Sequence, residues 1–133
     1  MPSTDGCSHD LTLPVASEAR LLDVARRLLD ALPHPAFVAL HGDLGAGKTT
    51  LVKAFAAAAG LDPVEVVSPT FGLLHEHAAP AGRLLHADLY RLRGDDLGEI
   101  GWHDAVARAD WVFVEWPERI AGALPDDRLA VAI

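Results

Sequence analysis

Hydrophobic positions in the first half of the chain switch between helical spacing and a short continuous run. One helical pattern ends before Pro33 and has Ser17 placed to cap its first turn. The apolar residues of this pattern are Leu21, Leu22, Ala25, Leu28, Leu29 and Leu32. Residues Ala36–His41 then predict a buried strand, a glycine-rich segment follows, and residues 48–59 predict a helix closed by Gly60.

The middle of the chain predicts a hairpin and then irregular helix. Residues 71–77 and 83–90 are strand-like, and the segment between them contains the alanine, proline and glycine of a turn. They predict an antiparallel pair of strands. Residues 95–109 are weakly helical, and breaks at Gly98 and Gly101 predict two short helices there.

The last part of the chain predicts two more strands. Residues Trp111–Glu115 form an apolar run that ends in a carboxylate, Pro117 begins a turn or short helix, and residues 128–133 predict a final strand. Strands that alternate with helices predict an α/β domain with a mixed β-sheet and helices on both faces.

Length and charge narrow the class of protein. The 133 residues are the size of one domain, so we expect a disordered leader at residues 1–9 and a single domain at residues 10–133. The formal net charge of −8 argues against direct binding of nucleic acid phosphates, so any contact with RNA should be indirect. A single cysteine excludes an internal disulfide. Residues 1–6 lack the basic end and apolar run of a secretion signal, so we expect neither a signal peptide nor a membrane span. We expect a cytoplasmic protein.

Residues 42–49 match the phosphate-binding pattern G-x-x-x-x-G-K-[ST] between a predicted strand and a predicted helix. Gly45 and Gly47 let the backbone approach a nucleotide closely, and the helix N-terminus favours negative charge. We expect the Lys48 ammonium to reach the β- and γ-phosphates and the Thr49 hydroxyl to bind Mg²⁺. With 11 glycines in 133 residues, a chance match is expected in roughly one such chain in a thousand. The fold predicted is therefore a P-loop NTPase-like three-layer domain.

Lysine usage favours ATP over GTP. Lys48 and Lys53 are the two lysines of the chain, and both lie in the loop or its helix. A guanine-reading N-K-x-D motif therefore cannot be present.

Two carboxylates stand at the ends of predicted strands, as a P-loop enzyme requires for holding Mg²⁺ or orienting the attacking water. Glu115 follows one apolar run and Asp88 follows another. Either could be an ordinary solvated carboxylate, but the phosphate loop in the same chain favours a functional role.

Four motifs in this order resemble the TsaE family. They are GDLGAGKTTL at residues 42–51, SPTF at residues 68–71, HADLYRL at residues 86–92 and VEWPE at residues 114–118. The resemblance implies an Mg²⁺-dependent ATPase that supports formation of threonylcarbamoyladenosine at position 37 of tRNAs that read ANN codons. It also implies partners, a threonylcarbamoyl transferase subunit (TsaD-like) and its companion (TsaB-like), with tRNA contacted only indirectly and no membrane involved.

The resemblance also implies roles for individual residues. Thr49 and Glu115 match the family's Mg²⁺ ligands, and Asp88 matches its essential second carboxylate, which we expect to act in catalysis with Lys48. Residues 68–70 match a switch-like loop, and Trp116 matches a tryptophan at the rim of the site. The expected nucleotide-binding residues are Asp43, Leu44, Gly45, Ala46, Gly47, Lys48, Thr49, Thr50, Thr70 and Trp116. Near the adenine, either Ser17 or Arg20 aligns with a threonine of the family.

Other interpretations remain open at this point. A small-molecule or nucleotide kinase could use the same loop, although the chain lacks a basic lid. Arg91 could neutralise γ-phosphate charge or be a surface residue. His75, His77, His86 and His103 could suggest a metal site, because His-x-His is a known ligand spacing. No Cys or third His completes a tetrahedral set with His75 and His77 in the sequence, so we do not predict a metal site there.

Overall fold

The strands of the protein form one sheet with helices on both of its faces. A computed structural model describes residues 9–12, 18–33, 35–42, 47–62, 74–90, 92, 98 and 100–132. Its elements, in chain order, are β1 (His9–Thr12), α1 (Glu18–Ala31), β2 (Ala36–His41), α2 (Lys48–Ala58), β3 (Leu74–Ala79), β4 (Gly82–Asp88), α3 (Trp102–Arg108), β5 (Trp111–Glu115), a 3₁₀ segment (Pro117–Ala123) and β6 (Leu129–Ala132).

Within the described residues the sheet has six strands, in the order β1-β6-β2-β5-β4-β3. β3 and β4 are antiparallel, whereas every other neighbouring pair is parallel. β2 and β5 lie in the interior and are buried along nearly their whole length. Strands covered on both faces need apolar side chains at every position, which explains their continuous apolar sequence. The predicted mixed sheet is therefore confirmed.

Each face of the sheet has its own apolar core, because successive side chains of a strand point to opposite faces. α1 and α2 cover the first core, which includes Leu28, Val38, Leu40, Leu51, Phe55, Leu84, Trp111 and Phe113. α3 and the 3₁₀ segment cover the second core, which includes Phe37, Leu85, Trp102, Ala105, Val112, Val114 and Ile120. Among the described helices, none has the length and apolar character needed to cross a membrane.

α2 ends where the sequence predicts, at a glycine in the left-handed conformation. Gly60 has a φ of 103°, a backbone conformation that is unfavourable for residues with a side chain. Its N–H donates to the Ala57 carbonyl at 3.1 Å, and the N–H of Leu61 donates to the Ala56 carbonyl at 2.9 Å. These two bonds satisfy carbonyls that the helix itself leaves without partners.

The hairpin is confirmed, but its boundaries differ from those predicted. β3 continues to Ala79 and β4 begins at Gly82, so the turn consists of Pro80 and Ala81 alone. β4 ends at Asp88, and Tyr90 therefore lies beyond the strand. Residues 71–73 of the predicted first strand lie outside the described residues.

Three other elements can be compared with the prediction. β1 was not predicted; it begins at His9, within the expected leader, whose residues 1–8 lie outside the described residues. Of the two short helices predicted over residues 95–109, the second corresponds to α3, and the first falls largely on residues 95–97 and 99, which lie outside the described residues. The predicted last strand is β6, which inserts between β1 and β2.

Candidate nucleotide-binding site

The carboxyl ends of β2, β5 and β4 meet at one edge of the sheet. The strand register pairs Leu40 with Glu115, and Glu115 with Asp88. Glu115 is two residues beyond Phe113 in β5, so the two side chains lie on the same face of the sheet. Phe113 packs in the core under α2, and Glu115 therefore faces the start of that helix. His86 and Asp88 are the register partners of Phe113 and Glu115, so their side chains lie on the same face of the sheet. The carboxyl ends of parallel strands are the usual binding edge of such sheets.

α2 begins at this edge with a glycine and a buried lysine. Gly47 precedes the helix in the left-handed conformation, with φ 101° and ψ 13°. Lys48 is only 4% exposed. Its Nζ donates a hydrogen bond to the Gly42 carbonyl at 2.7 Å and lies 3.8 Å from the centroid of the Trp116 ring. The lysine charge is thus held at the helix N-terminus, between the end of β2 and the end of β5.

Thr49 connects the first turn of α2 to the end of β5. Its hydroxyl donates to Glu115 Oε2 at 2.9 Å, across 66 positions of sequence. Because the hydroxyl hydrogen is directed to the carboxylate, the lone pairs of the Thr49 oxygen are available to a cation. A hydroxyl oxygen beside a carboxylate is a donor set that suits Mg²⁺, which prefers oxygen ligands.

Glu115 accepts a second hydrogen bond on the same oxygen. His86 Nε2 lies 2.5 Å from Glu115 Oε2, and the His86 side chain is completely buried. Burial alone would raise the pKa of Glu115, but the hydrogen bonds from His86 and Thr49 and the charge of Lys48 outweigh it and hold the pKa below the usual value. Glu115 is therefore an ionised carboxylate at neutral pH.

Asp88 has a different environment from its register partner. It is half-buried, and its Oδ1 accepts a hydrogen bond from the Tyr90 N–H at 3.1 Å. Burial and, to a smaller degree, the negative charge of Glu115 raise the pKa of Asp88, while the bond from Tyr90 acts in the opposite direction. The two neighbouring carboxyl groups thus have pKa values displaced in opposite directions, a frequent arrangement in sites of acid–base chemistry.

Trp116 adopts a backbone conformation that is unusual for a residue with a side chain. Its φ of 60° and ψ of 52° lie in the left-handed region. The ring contacts both the Lys48 ammonium and the Tyr90 ring, and the centroids of the two rings are 4.9 Å apart. Tyr90 is 45% exposed, and the Arg119 guanidinium lies 5.9 Å from its ring centroid. An aromatic pair therefore borders the lysine at the edge of the site.

Residues 15–133 match the family model described as Threonylcarbamoyl adenosine biosynthesis protein TsaE. The chain belongs to the TsaE family. Curated relatives agree with this: a tRNA threonylcarbamoyladenosine biosynthesis protein TsaE of Aquifex aeolicus is 39% identical over 77% of this chain and 74% of its own length. The protein of the same name in Treponema pallidum is 38% identical over 86% of this chain and 82% of its own.

A solved structure supports the fold. The crystal structure of Bacillus subtilis YdiB is similar with a TM-score of 0.66 and 28% sequence identity, covering 90% of this chain and 72% of that one. The predicted P-loop NTPase-like α/β fold is confirmed. A curated TsaE protein of Bacillus subtilis is 38% identical, and the aligned region spans 58% of its length.

The structure brings several predicted site residues of this TsaE family member together. Thr49 is hydrogen-bonded to Glu115, Lys48 lies against the Trp116 ring, and Asp88 is beside Glu115 in the sheet. Thr50 lies in the first turn of α2 and is half-buried. The predicted residues outside the described part of the chain are Ser17, Asp43, Leu44, Gly45, Ala46, Ser68, Pro69, Thr70 and Arg91.

Two residues of this edge were not assigned a role from the sequence. His86 was considered only as a metal ligand, and its contact with Glu115 was missed, as was the contact of Tyr90 with Trp116. Period-two spacing does place His86 on the same side of β4 as Asp88, which was a usable signal. Within the described ranges, no three His, Cys, Asp or Glu side chains are arranged to hold a metal ion.

A cavity of about 610 Å³ lies away from this edge, at the opposite ends of β2 and β5. It is lined by residues of those strand ends and of the α3–β5 connection, including Pro35, Ala36, Val106, Ala109 and Asp110. The cavity does not include any residue of the Lys48–Thr49–Glu115 group. It is therefore separate from the site described above.

Proposed function

We propose that this chain is an Mg²⁺-dependent ATPase that serves N6-threonylcarbamoyladenosine formation at position 37 of ANN-decoding tRNAs. The observation that carries the ATPase part is the Thr49 to Glu115 hydrogen bond beside buried Lys48 at the start of α2. This arrangement places the two oxygen groups that we expect to bind Mg²⁺, those of Thr49 and Glu115, next to Lys48, the residue that we expect to bind the phosphates. The family supplies the tRNA part, since its curated members are named for that biosynthesis.

The residues divide the chemistry among themselves. Lys48 would exchange its bond to the Gly42 carbonyl for phosphate oxygens, a stronger charge-assisted interaction. Thr49 and Glu115 would hold Mg²⁺, which when bound neutralises charge on the phosphates. Hydrolysis joins a water oxygen to the γ-phosphorus and breaks the bond to the β–γ bridging oxygen, which leaves with ADP. Asp88 would orient that water and accept its proton, a task that a raised pKa favours.

We also assign the protein an accessory, partner-dependent role in the cytoplasm. Rapid ATPases place an additional cation against the γ-phosphate, and a cation supplied in trans raises rates by roughly 10³–10⁵. Lys48 is committed to the loop, so the isolated chain should hydrolyse ATP slowly. The TsaD-like transferase and its TsaB-like companion are the proposed activators, and the net charge of −8 disfavours tRNA as a direct one.

Calorimetry with paired lysine variants tests nucleotide binding. Lys48→Ala should weaken Mg·ATP binding by about 10- to 100-fold, as expected for the loss of a hydrogen bond from a charged group. Lys53→Ala is the matched control, because Lys53 lies in the same helix and is exposed. Unchanged affinity in Lys48→Ala would remove the phosphate-binding assignment.

A comparison of hydrolysis rates tests the accessory role. ATP turnover is measured for the protein alone, with tRNA, with the partner pair, and with both. We expect a slow basal rate, stimulation by the partner pair, and a further effect of tRNA only when the partners are present. A fast isolated protein, or strong stimulation by tRNA alone, contradicts the proposal.

A further inference from the structure

We infer that His86 is a positioning residue that holds the Glu115 carboxylate in the orientation needed for the metal site. This inference rests on the proposed function, because it assigns Glu115 to the Mg²⁺ shell. His86 itself is beneath Glu115 in the core and is not proposed to contact nucleotide or metal.

The hydrogen-bond geometry is the first argument. Glu115 Oε2 accepts from two donors on two different elements, the Thr49 hydroxyl of α2 at 2.9 Å and His86 Nε2 of β4 at 2.5 Å. An ionised carboxylate can only accept hydrogen bonds, so Nε2 of His86 carries the hydrogen. Two donors on one oxygen fix the rotation of the carboxyl group about its side-chain bonds.

The burial of His86 is the second argument. Its side chain is 0% exposed, and its other ring nitrogen, Nδ1, is buried without a hydrogen-bond partner among the described residues. The bond to Glu115 is thus the hydrogen bond that the described structure gives this ring. Burying a histidine here leaves Nδ1 without a partner, whereas an apolar side chain could fill the same space without that cost. The hydrogen bond to Glu115 therefore explains why the buried residue is a histidine.

The effect expected on the site follows from this arrangement. Without the His86 donor, Glu115 Oε2 keeps only the Thr49 hydroxyl, and the carboxylate gains freedom to rotate away from it. The Thr49 oxygen then loses the fixed orientation that directs its lone pairs to a cation. Removing a group that orients a metal ligand typically lowers metal affinity or activity by about 10- to 100-fold.

Two amide variants separate positioning from simple packing. His86→Gln places an amide N–H near the position of the ring Nε2, whereas His86→Asn carries the same amide one carbon shorter, out of reach of Glu115. Affinity for a non-hydrolysable ATP analogue is measured as Mg²⁺ is titrated, and the result is the Mg²⁺ concentration at which half of the gain in affinity is reached. His86→Asn should raise this concentration about 10- to 100-fold, and His86→Gln should raise it only roughly threefold. In EDTA, the affinity of both variants for the analogue should change less than about twofold.

A control variant and folding measurements accompany this titration. His103→Asn is the matched control, because it makes the same substitution at an exposed position of α3, outside the sheet that carries His86 and Glu115. It should leave the Mg²⁺ dependence unchanged. Thermal unfolding of each variant identifies any that do not fold. Equal Mg²⁺ dependence in folded His86→Asn and in the wild-type protein overturns the inference.

A spectroscopic readout on the wild-type protein does not depend on metal or activity. Nitrogen-15 spectra of the His86 ring, taken without nucleotide, should show a hydrogen on Nε2 that is protected from solvent exchange. A hydrogen on Nδ1 alone overturns the inference even if the variants fail to fold. Failure of the proposed function looks different, since the wild-type protein would then gain no affinity from Mg²⁺ at all.

Discussion

The left-handed backbone of Trp116 predicts that glycine is more stable than alanine at this position. The conformation costs a residue with a side chain roughly 1–2 kcal/mol of folding free energy, and it does not cost glycine this amount. The ring in turn gains about 0.5–1.5 kcal/mol from Tyr90 and about 0.5–1 kcal/mol from the Lys48 cation. Trp116→Ala loses both contacts and keeps the strain, whereas Trp116→Gly loses the contacts and releases the strain.

The two variants should therefore differ in a fixed direction. Glycine also has more conformational freedom in the unfolded chain, which lowers the stability of Trp116→Gly by about 0.4–1 kcal/mol and offsets part of the released strain. Taking the middle of both ranges, Trp116→Gly should be about 0.8 kcal/mol more stable than Trp116→Ala, and both should be less stable than the wild-type protein. Urea denaturation followed by far-ultraviolet circular dichroism measures the difference, provided that the m-values agree.

An exposed helical position supplies the control. His103 lies in α3 with an ordinary helical backbone, so His103→Gly should be less stable than His103→Ala by about 0.8–1 kcal/mol. The order of glycine and alanine should thus reverse between the two sites. If alanine is the more stable residue at position 116 as well, the strain argument is refuted.

Three further predictions concern the metal ligand, the second carboxylate and the core. Thr49→Ala should weaken nucleotide binding with Mg²⁺ and leave it nearly unchanged in EDTA; calorimetry showing an equal loss in both would exclude Thr49 from the metal shell. The raised pKa of Asp88 means that protonation favours the folded state, so this contribution is present at pH below the unfolded value and is lost as pH rises through the folded pKa. Asp88→Asn should therefore gain stability relative to the wild-type protein as pH increases over that window, while its ATP hydrolysis stays low; a constant stability difference contradicts this. Phe55→Ala should cost about 3–5 kcal/mol in urea denaturation, since Phe55 is fully buried against Trp111 and Phe113; a loss below about 1 kcal/mol would mean that the core there can collapse.

Elements whose limits are set by local sequence could be predicted closely. β2 and β5 begin and end at the predicted residues, because each is a continuous apolar run bounded by polar or helix-breaking positions. The end of α2 was predicted from Gly60 alone. Lys48, Thr49 and Glu115 were found because a phosphate loop restricts the residue type at each position.

Features that depend on strand order could not be predicted in the same way. β1 has only four residues and no alternating pattern, and it is held by pairing with β6, more than a hundred positions later. The contact of His86 with Glu115 requires that β4 and β5 be neighbours, which no local pattern in either strand indicates. The left-handed Trp116 likewise results from tertiary contacts, since tryptophan does not favour that conformation.

The position of β6 in the sheet affects the order in which the strands can pair. β6 is made after all the other described strands, yet it lies between β1 and β2. β2, β5 and β4 can pair without β6, so the edge that carries Thr49, His86 and Glu115 can form first. Among the described strands β1 pairs with β6, so it has no place in the sheet until β6 has docked on β2. Until then one side of β2 is an open strand edge that can pair with a second unfolded chain.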